Sequence, residues 1–87
     1  MKADKTKITR LLKTARGQLD GIINMVEDDR YCIDISNQIL AAQAILTKVN
    51  KEILHAHMEH CVNQSLGNAD SDKKIEEILA VMDKMMK

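Results

Sequence analysis

Apolar residues recur near the start of the chain at the spacing of an amphipathic helix. Intervals of four and three residues alternate along a stripe that consists of Ile8, Leu12, Ala15, Leu19, Ile22 and Val26. Leu11 and Ile23 widen this stripe. Asp4 or Thr6 can cap this helix, and the polar run at 27–30 ends it. Gly17 and Gly21 lie four residues apart, which predicts that another backbone approaches closely there.

A second stripe begins near Cys32 and continues to about Leu66 without a Pro or a Gly. The same alternation of four and three residues runs through Ile35, Ile39, Ala42, Leu46, Val49, Ile53, Ala56 and His60. A single helix over this stretch spans ~50 Å at the helical rise per residue, and neither flanking helix is long enough to cover it. An apolar stripe of that length without a partner predicts a second subunit.

A third, shorter helix is predicted after a turn at residues 66–69. Asp70 or Ser71 is its predicted cap, and its apolar positions are Ile75, Ile78, Leu79, Met82 and Met85. The fold class that follows is all-α, with three helices per protomer, a long central helix and antiparallel pairing into a dimer. Residues 1–87 form a single domain in this prediction.

Composition and charge narrow the function classes. The 87 residues include one Tyr and no Phe, Trp or Pro, which argues against a β-sandwich and against an aromatic platform for single-stranded nucleic acid. Thirteen basic residues balance thirteen acidic residues in the whole chain, but the two charges are unevenly distributed. Residues 1–16 carry six basic residues and one acidic residue, whereas residues 20–34 carry one basic residue and five acidic residues. Without an apolar signal region or a long apolar run, we expect a cytoplasmic protein that does not enter the membrane.

Cys32, His57 and Cys61 are the residues most suited to metal chemistry. His57 and Cys61 lie four residues apart, so one helical turn brings an imidazole and a thiolate to the same face, although such a pair alone is more often structural filler. Cys32 lies ~37 Å from His57 along one helix, so only another protomer can supply it. Antiparallel pairing of two long helices that cross near residues 44–47 would do so, and symmetry would give two equivalent sites.

Two thiolates and one imidazole form a soft, three-coordinate ligand set, which favours Cu(I). A structural Zn(II) site normally has four ligands and would need His60 or Glu77 as the fourth. A nucleophilic Cys–His pair would suit an enzyme, but a short helical chain has little room for a substrate pocket, so we expect no enzyme. His55 is expected at the surface, and the Met residues are expected as core filler rather than copper ligands.

Basic residues of the first two helices could neutralise DNA phosphates once several copies form one surface. These residues are Lys7, Arg10, Lys13, Arg16, Lys48 and Lys51. A solvated charged face explains them about as well, and the sequence has no helix-turn-helix signature. Any contact with DNA would therefore use a different kind of surface.

Several segments resemble the CsoR-type copper-sensing repressors, which belong to a wider group of nickel/cobalt, formaldehyde and persulfide sensors. The resemblance covers nearly the whole chain and is most specific at Arg16-Gly17-Gln18-Leu19-Asp20-Gly21-Ile22, Asp29-Arg30-Tyr31-Cys32-Ile33-Asp34-Ile35, Gln38-Ile39, Ala42-Gln43-Ala44, and His57 with Cys61. It implies dimers that assemble into tetramers, bind double-stranded operator DNA without metal and release it when Cu(I) binds.

The resemblance also implies roles for individual residues. Cys32, His57 and Cys61 match the Cu(I) ligands, which two protomers share in the family. Tyr31 and Glu77 match residues that link the liganding His to the third helix. Because a His bound through one nitrogen can donate its other N–H, we hypothesise that metal binding reorients the helices through these two residues.

Two alternatives stay open at this point. A persulfide or thiol-redox sensor would use Cys32 and Cys61 and would not require His57. A copper storage or delivery protein would use the same ligands without binding DNA, but it would not need the basic N-terminal segment. The first helix also departs from the family, since Leu11 stands where a basic residue is common, and it lacks the N-terminal His of the nickel/cobalt sensors.

Overall fold

The computed structural model describes the backbone of residues 1–64 and 69–85 and the side chains of residues 1–60 and 73–85. This part of the chain forms three α-helices: α1 (Lys5–Glu27), α2 (Cys32–Gln64) and α3 (Ala69–Met85). With 33 residues, α2 is the longest of the three. The predicted all-α protomer with a long central helix is confirmed, while the predicted turn around Gly67 lies outside the described residues.

One compact unit, Asp4–Asn50, contains α1 and the first part of α2. Its buried side chains are Ile8, Ala15, Ile22, Ala42 and Val49. On each helix these positions recur at seven-residue intervals, the spacing expected when two helices lie side by side. The core of this unit is therefore a narrow seam between α1 and α2.

Several residues of the two predicted apolar stripes are exposed in the protomer. They are Leu12, Leu19, Ile23, Val26, Ile39 and Leu46, with exposures between 41% and 56%. The reason is that each helix of this unit has two adjacent apolar stripes and only one neighbour, so one stripe stays uncovered. The predicted close backbone approach is also not made within the described chain, because a Cβ built at Gly17 or Gly21 meets nothing within 4 Å.

The ends of α1 follow standard capping rules. The Oδ1 atom of Asp4 accepts hydrogen bonds from the backbone N–H groups of Thr6 at 3.0 Å and Lys7 at 3.3 Å. Of the two predicted caps, Asp4 is therefore correct, and Thr6 lies inside the helix. At the other end the N–H of Arg30 donates to the carbonyl oxygen of Met25 at 3.0 Å, which closes a Schellman turn.

Asp29 follows Asp28, the C-cap residue of α1, and precedes Arg30. Its φ of 53° lies in the left-handed region that favours glycine. Its carboxylate also lies at the negative end of the α1 dipole. We therefore expect Asp29→Gly to raise the free energy of unfolding by up to about 1 kcal/mol, because an L-residue in the left-handed region costs roughly 1–2 kcal/mol and the extra freedom of Gly in the unfolded chain offsets part of the gain. Chemical denaturation at fixed protein concentration measures this change.

Asp28 provides the matched control for that substitution. Its φ of −88° lies in an ordinary region, so Asp28→Gly relieves no backbone strain and only adds freedom to the unfolded chain. Asp28→Gly should consequently gain less stability than Asp29→Gly. Equal effects of the two substitutions would show that charge, and not the left-handed backbone, sets the stability at this turn.

A second compact unit, Met1–Ala3 with Lys51–Lys87, contains the rest of α2 and all of α3. On α3, Ile78 is buried and Ile75 is half-buried. α3 begins at Ala69, so the predicted caps Asp70 and Ser71 lie inside the helix. The prediction therefore placed the start of α3 too far toward the C-terminus.

Two of the predicted apolar core positions on α3 are also exposed. Leu79 and Met82 have exposures of 51% and 42%. The side of α3 that is covered in this unit is therefore narrower than the sequence pattern predicts. Within residues 1–64 and 69–85, no helix has the length and apolar character needed to cross a membrane.

Candidate metal and DNA-binding sites

The three candidate metal ligands all lie on α2. Cys32 is the first residue of the helix, and it carries a free, exposed thiol. His57 lies in the second compact unit and is half-buried. Cys61 belongs to the same helix, one turn beyond His57, but its side chain lies outside the described residues. The predicted spacing of His57 and Cys61 on one helix is therefore confirmed at the level of the backbone.

No metal site built from His, Cys, Asp and Glu alone is complete within the described side chains of one protomer. Among residues 1–60 and 73–85, no group of three His, Cys, Asp or Glu side chains could hold one ion. The candidate fourth zinc ligands are His60, which is half-buried on α2, and Glu77, which is exposed on α3. The three-ligand site predicted from the sequence includes Cys61, whose side chain lies outside the described residues, so this site stays a prediction.

Tyr31 and Glu77, expected to connect the metal site to α3, both have accessible side chains. Tyr31 is 68% exposed and immediately precedes α2, where its carbonyl oxygen accepts a hydrogen bond from the N–H of Ile35 at 3.2 Å. Glu77 is exposed on α3. The backbone bond fixes the start of α2 while leaving the phenol ring of Tyr31 in solvent.

A basic groove runs along one face of α1. The groove has a volume of about 660 Å³ and is lined by Lys5, Thr6, Thr9, Arg10, Lys13 and Thr14. The hydroxyl of Thr14 donates to the carbonyl oxygen of Arg10 at 3.1 Å, so this side chain lies against the helix instead of reaching outward. Three cations and two further hydroxyl groups along nearly three helical turns form a surface suited to a row of phosphate oxygens.

The other predicted DNA contacts differ in accessibility. Arg16 and Lys48 are exposed, whereas Lys7 is half-buried, which makes Lys7 the least suited of the set to reach a phosphate. Lys51 is exposed but lines a different, apolar cleft in the second unit. Sequence reasoning missed Lys5, although its position eight residues before Lys13 places both side chains on nearly the same face of α1.

The sequence of residues 4–84 matches the family described as metal-sensitive transcriptional repressor. The chain belongs to this family. It is 44% identical over 84 residues to the copper-sensing transcriptional repressor CsoR of Bacillus subtilis strain 168, an alignment that covers 97% of this chain and 83% of that protein. It is 40% identical over 77 residues to the protein of the same name from Mycobacterium tuberculosis strain H37Rv, covering 88% of this chain and 65% of that one.

A solved structure supports the same assignment for this metal-sensitive repressor. The crystal structure of the copper-sensing repressor CsoR with Cu(I) from Geobacillus thermodenitrificans superposes with a TM-score of 0.82 at 36% identity. The superposition covers 100% of this chain and 94% of that one. The names of these relatives describe transcriptional repressors.

Proposed function

We propose that this repressor is a cytoplasmic Cu(I) sensor that binds double-stranded operator DNA without metal and releases it when Cu(I) binds. The observation that carries the proposal is the presence of Cys32, His57 and Cys61 in a chain whose similar relatives are named copper-sensing repressors. These three residues are the proposed ligands, and two protomers contribute to each site.

The chemistry of the donor set fits Cu(I). Thiolate sulfur and imidazole nitrogen are soft or borderline donors, and three of them satisfy Cu(I), whereas a structural Zn(II) site normally takes four. Cys32 is exposed and free, so a second protomer can reach its sulfur. Bound Cu(I) would join the start of α2 in one protomer to the later part of α2 in its partner.

The positions of exposed apolar residues on α2 support antiparallel pairing. Cys32, Ile39 and Leu46 follow one another at intervals of seven residues, and His57 follows Leu46 by eleven. Intervals of seven and eleven both return a helix to nearly the same face. A second copy that covers the exposed side chains of Ile39 and Leu46 in the antiparallel direction would therefore align Cys32 with the His57 position of its partner.

The exposed stripe on α1 supports a larger assembly. Leu12, Leu19, Ile23 and Val26 are apolar and open in the protomer. Water contact with so many apolar side chains is unfavourable, and a homodimer or a homotetramer would cover them.

We assign operator contact to the basic groove of α1, supplemented by Arg16 and Lys48. Release on metal binding would act through Glu77 and Tyr31. An imidazole that binds metal through one nitrogen can donate its other N–H, and Glu77 on α3 is an exposed acceptor for it. Tyr31, next to Cys32, would bring the start of α2 into the same response.

An electrophoretic mobility shift with DNA selected from a random duplex library tests this function. We expect a shift with the metal-free tetramer and loss of the shift after one Cu(I) per protomer, with sodium tetrasulfide having a weaker effect. Release by tetrasulfide but not by Cu(I) would instead identify a persulfide sensor. Cu(I) binding without any sequence-preferring DNA binding would identify a storage or delivery protein.

A further inference from the structure

We propose a second Cu(I) site within one protomer, built from the thioethers of Met58, Met82 and Met85 with the imidazole of His55. All four side chains line one cleft in the second compact unit, between α2 and α3. The cleft has a volume of about 470 Å³, and Leu54, Ile78 and Lys51 complete its lining. The site does not depend on the proposed sensor function, because it needs neither a second subunit nor either cysteine.

The spacing of the four residues is that of a metal site between two helices. His55 and Met58 are three residues apart on α2, and Met82 and Met85 are three residues apart on α3. Residues at this spacing are neighbours on a helix surface, and metal sites in helical proteins are commonly assembled from such pairs on facing helices. Each helix thus offers two donors to the same cleft.

The donor atoms select a soft monovalent ion. Thioether sulfur carries no charge and no proton, and it prefers Cu(I) or Ag(I) over hard or divalent cations. The carboxylate of Glu59 lies 3.7 Å from Nε2 of His55, so we assign the other ring nitrogen, Nδ1, as the donor to metal. Neutral ligands of this kind bind Cu(I) more weakly than a pair of thiolates.

The methionines line the cleft of the protomer without filling it. Met82 is 42% exposed, and the space beside it is not closed by neighbouring side chains. Because a Met side chain has three rotatable bonds, the thioethers can swing inward and converge on an ion that is far smaller than the cleft.

The proposal is tested by titrating the full-length protein with Ag(I), a redox-stable analogue of Cu(I), after labelling its Met methyl groups with carbon-13. We expect the methyl resonances of Met58, Met82 and Met85 to shift together beyond the first equivalent, while those of Met1 and Met25 stay in place. The Met82→Leu/Met85→Leu double variant should lose this second binding event. Met25→Leu, a half-buried Met of α1, is the matched control and should retain it.

The Cys32→Ala variant separates this site from the sensor site. Selective methyl shifts that persist in Cys32→Ala support the second site, whatever the effect of that substitution on DNA release. Shifts that vanish in Cys32→Ala would show that the methionines only report a change at the sensor site, and the proposal would be wrong. Absence of selective shifts in the unsubstituted protein would also overturn it.

Discussion

Replacing His57 by Ala should lower the affinity for Cu(I) by more than about a hundredfold, because even residues that only orient a metal ligand are worth 10–100-fold. Ala has the highest helix propensity, so α2 itself should persist and the loss should report the missing imidazole. Cys32→Ala should have an effect of the same order. Anaerobic competition with a chromophoric Cu(I) chelator measures both affinities and the stoichiometry of one ion per protomer.

His60 supplies the control for that experiment. It is a half-buried His on the same helix, and His60→Ala removes an imidazole without touching the proposed Cu(I) ligands. We expect its Cu(I) affinity to match that of the unsubstituted protein. A loss as large as that of His57→Ala would favour a four-ligand site and revive the zinc interpretation.

Mixing two defective proteins tests whether protomers share the site. A dimer formed from one Cys32→Ala chain and one His57→Ala chain has one site with both defects and one site with none. Refolding the two variants together should therefore restore one tight Cu(I) site per mixed dimer, although neither variant binds tightly alone. No recovery on mixing would place all three ligands in one chain and would contradict the antiparallel arrangement.

The helices were predictable because their signals are local. The cap at Asp4, the polar break before Cys32 and the uninterrupted stripe of α2 depend on neighbours within one or two turns. The starting point of α3 was missed because three residues near it, Asn68, Asp70 and Ser71, are all of types that can cap a helix. Local sequence signals do not choose among adjacent caps of similar quality.

Burial on α1 was only partly predictable for a different reason. Apolar residues occupy two adjacent stripes, and periodicity alone does not say which stripe packs within the chain and which packs against another copy. Gln18 illustrates the difficulty: it lies on the covered side of α1 and its Oε1 is buried without a hydrogen-bond partner in the described part of the chain, while the neighbouring Leu19 is exposed. Tertiary contact overrides side-chain polarity at these two positions.

The two candidate metal sites also differ in whether they could be predicted from the sequence. Cys32, His57 and Cys61 could be predicted as ligands from chemistry and spacing, since few residue types bind a soft ion. The cleft of Met58, Met82 and Met85 could not, because Met at helical spacing is usually core, and only the packing of α3 on α2 leaves these side chains beside open space.

Removing two cations from the groove of α1 should weaken operator binding strongly. Each phosphate contact contributes about 0.9 to the slope of log K against log salt, so losing Arg10 and Lys13 should cost about 30-fold in affinity at 0.15 M salt for each protomer that contacts DNA. The salt dependence should become shallower by about 1.8 per contacting protomer at the same time. Binding isotherms of Arg10→Ala/Lys13→Ala over a range of salt concentrations measure both changes.

Two further substitutions show whether the effect belongs to this groove. Lys84 is exposed on α3 and is not among the residues that line the groove of α1. Lys84→Ala removes one positive charge, as Lys13→Ala does, but should leave the slope of log K against log salt unaltered. Lys7 is half-buried, so Lys7→Ala should have a smaller effect than Lys13→Ala. If Lys84→Ala weakened binding as much as Lys13→Ala, overall charge would account for affinity, and the groove would lose its assignment as the operator-binding surface.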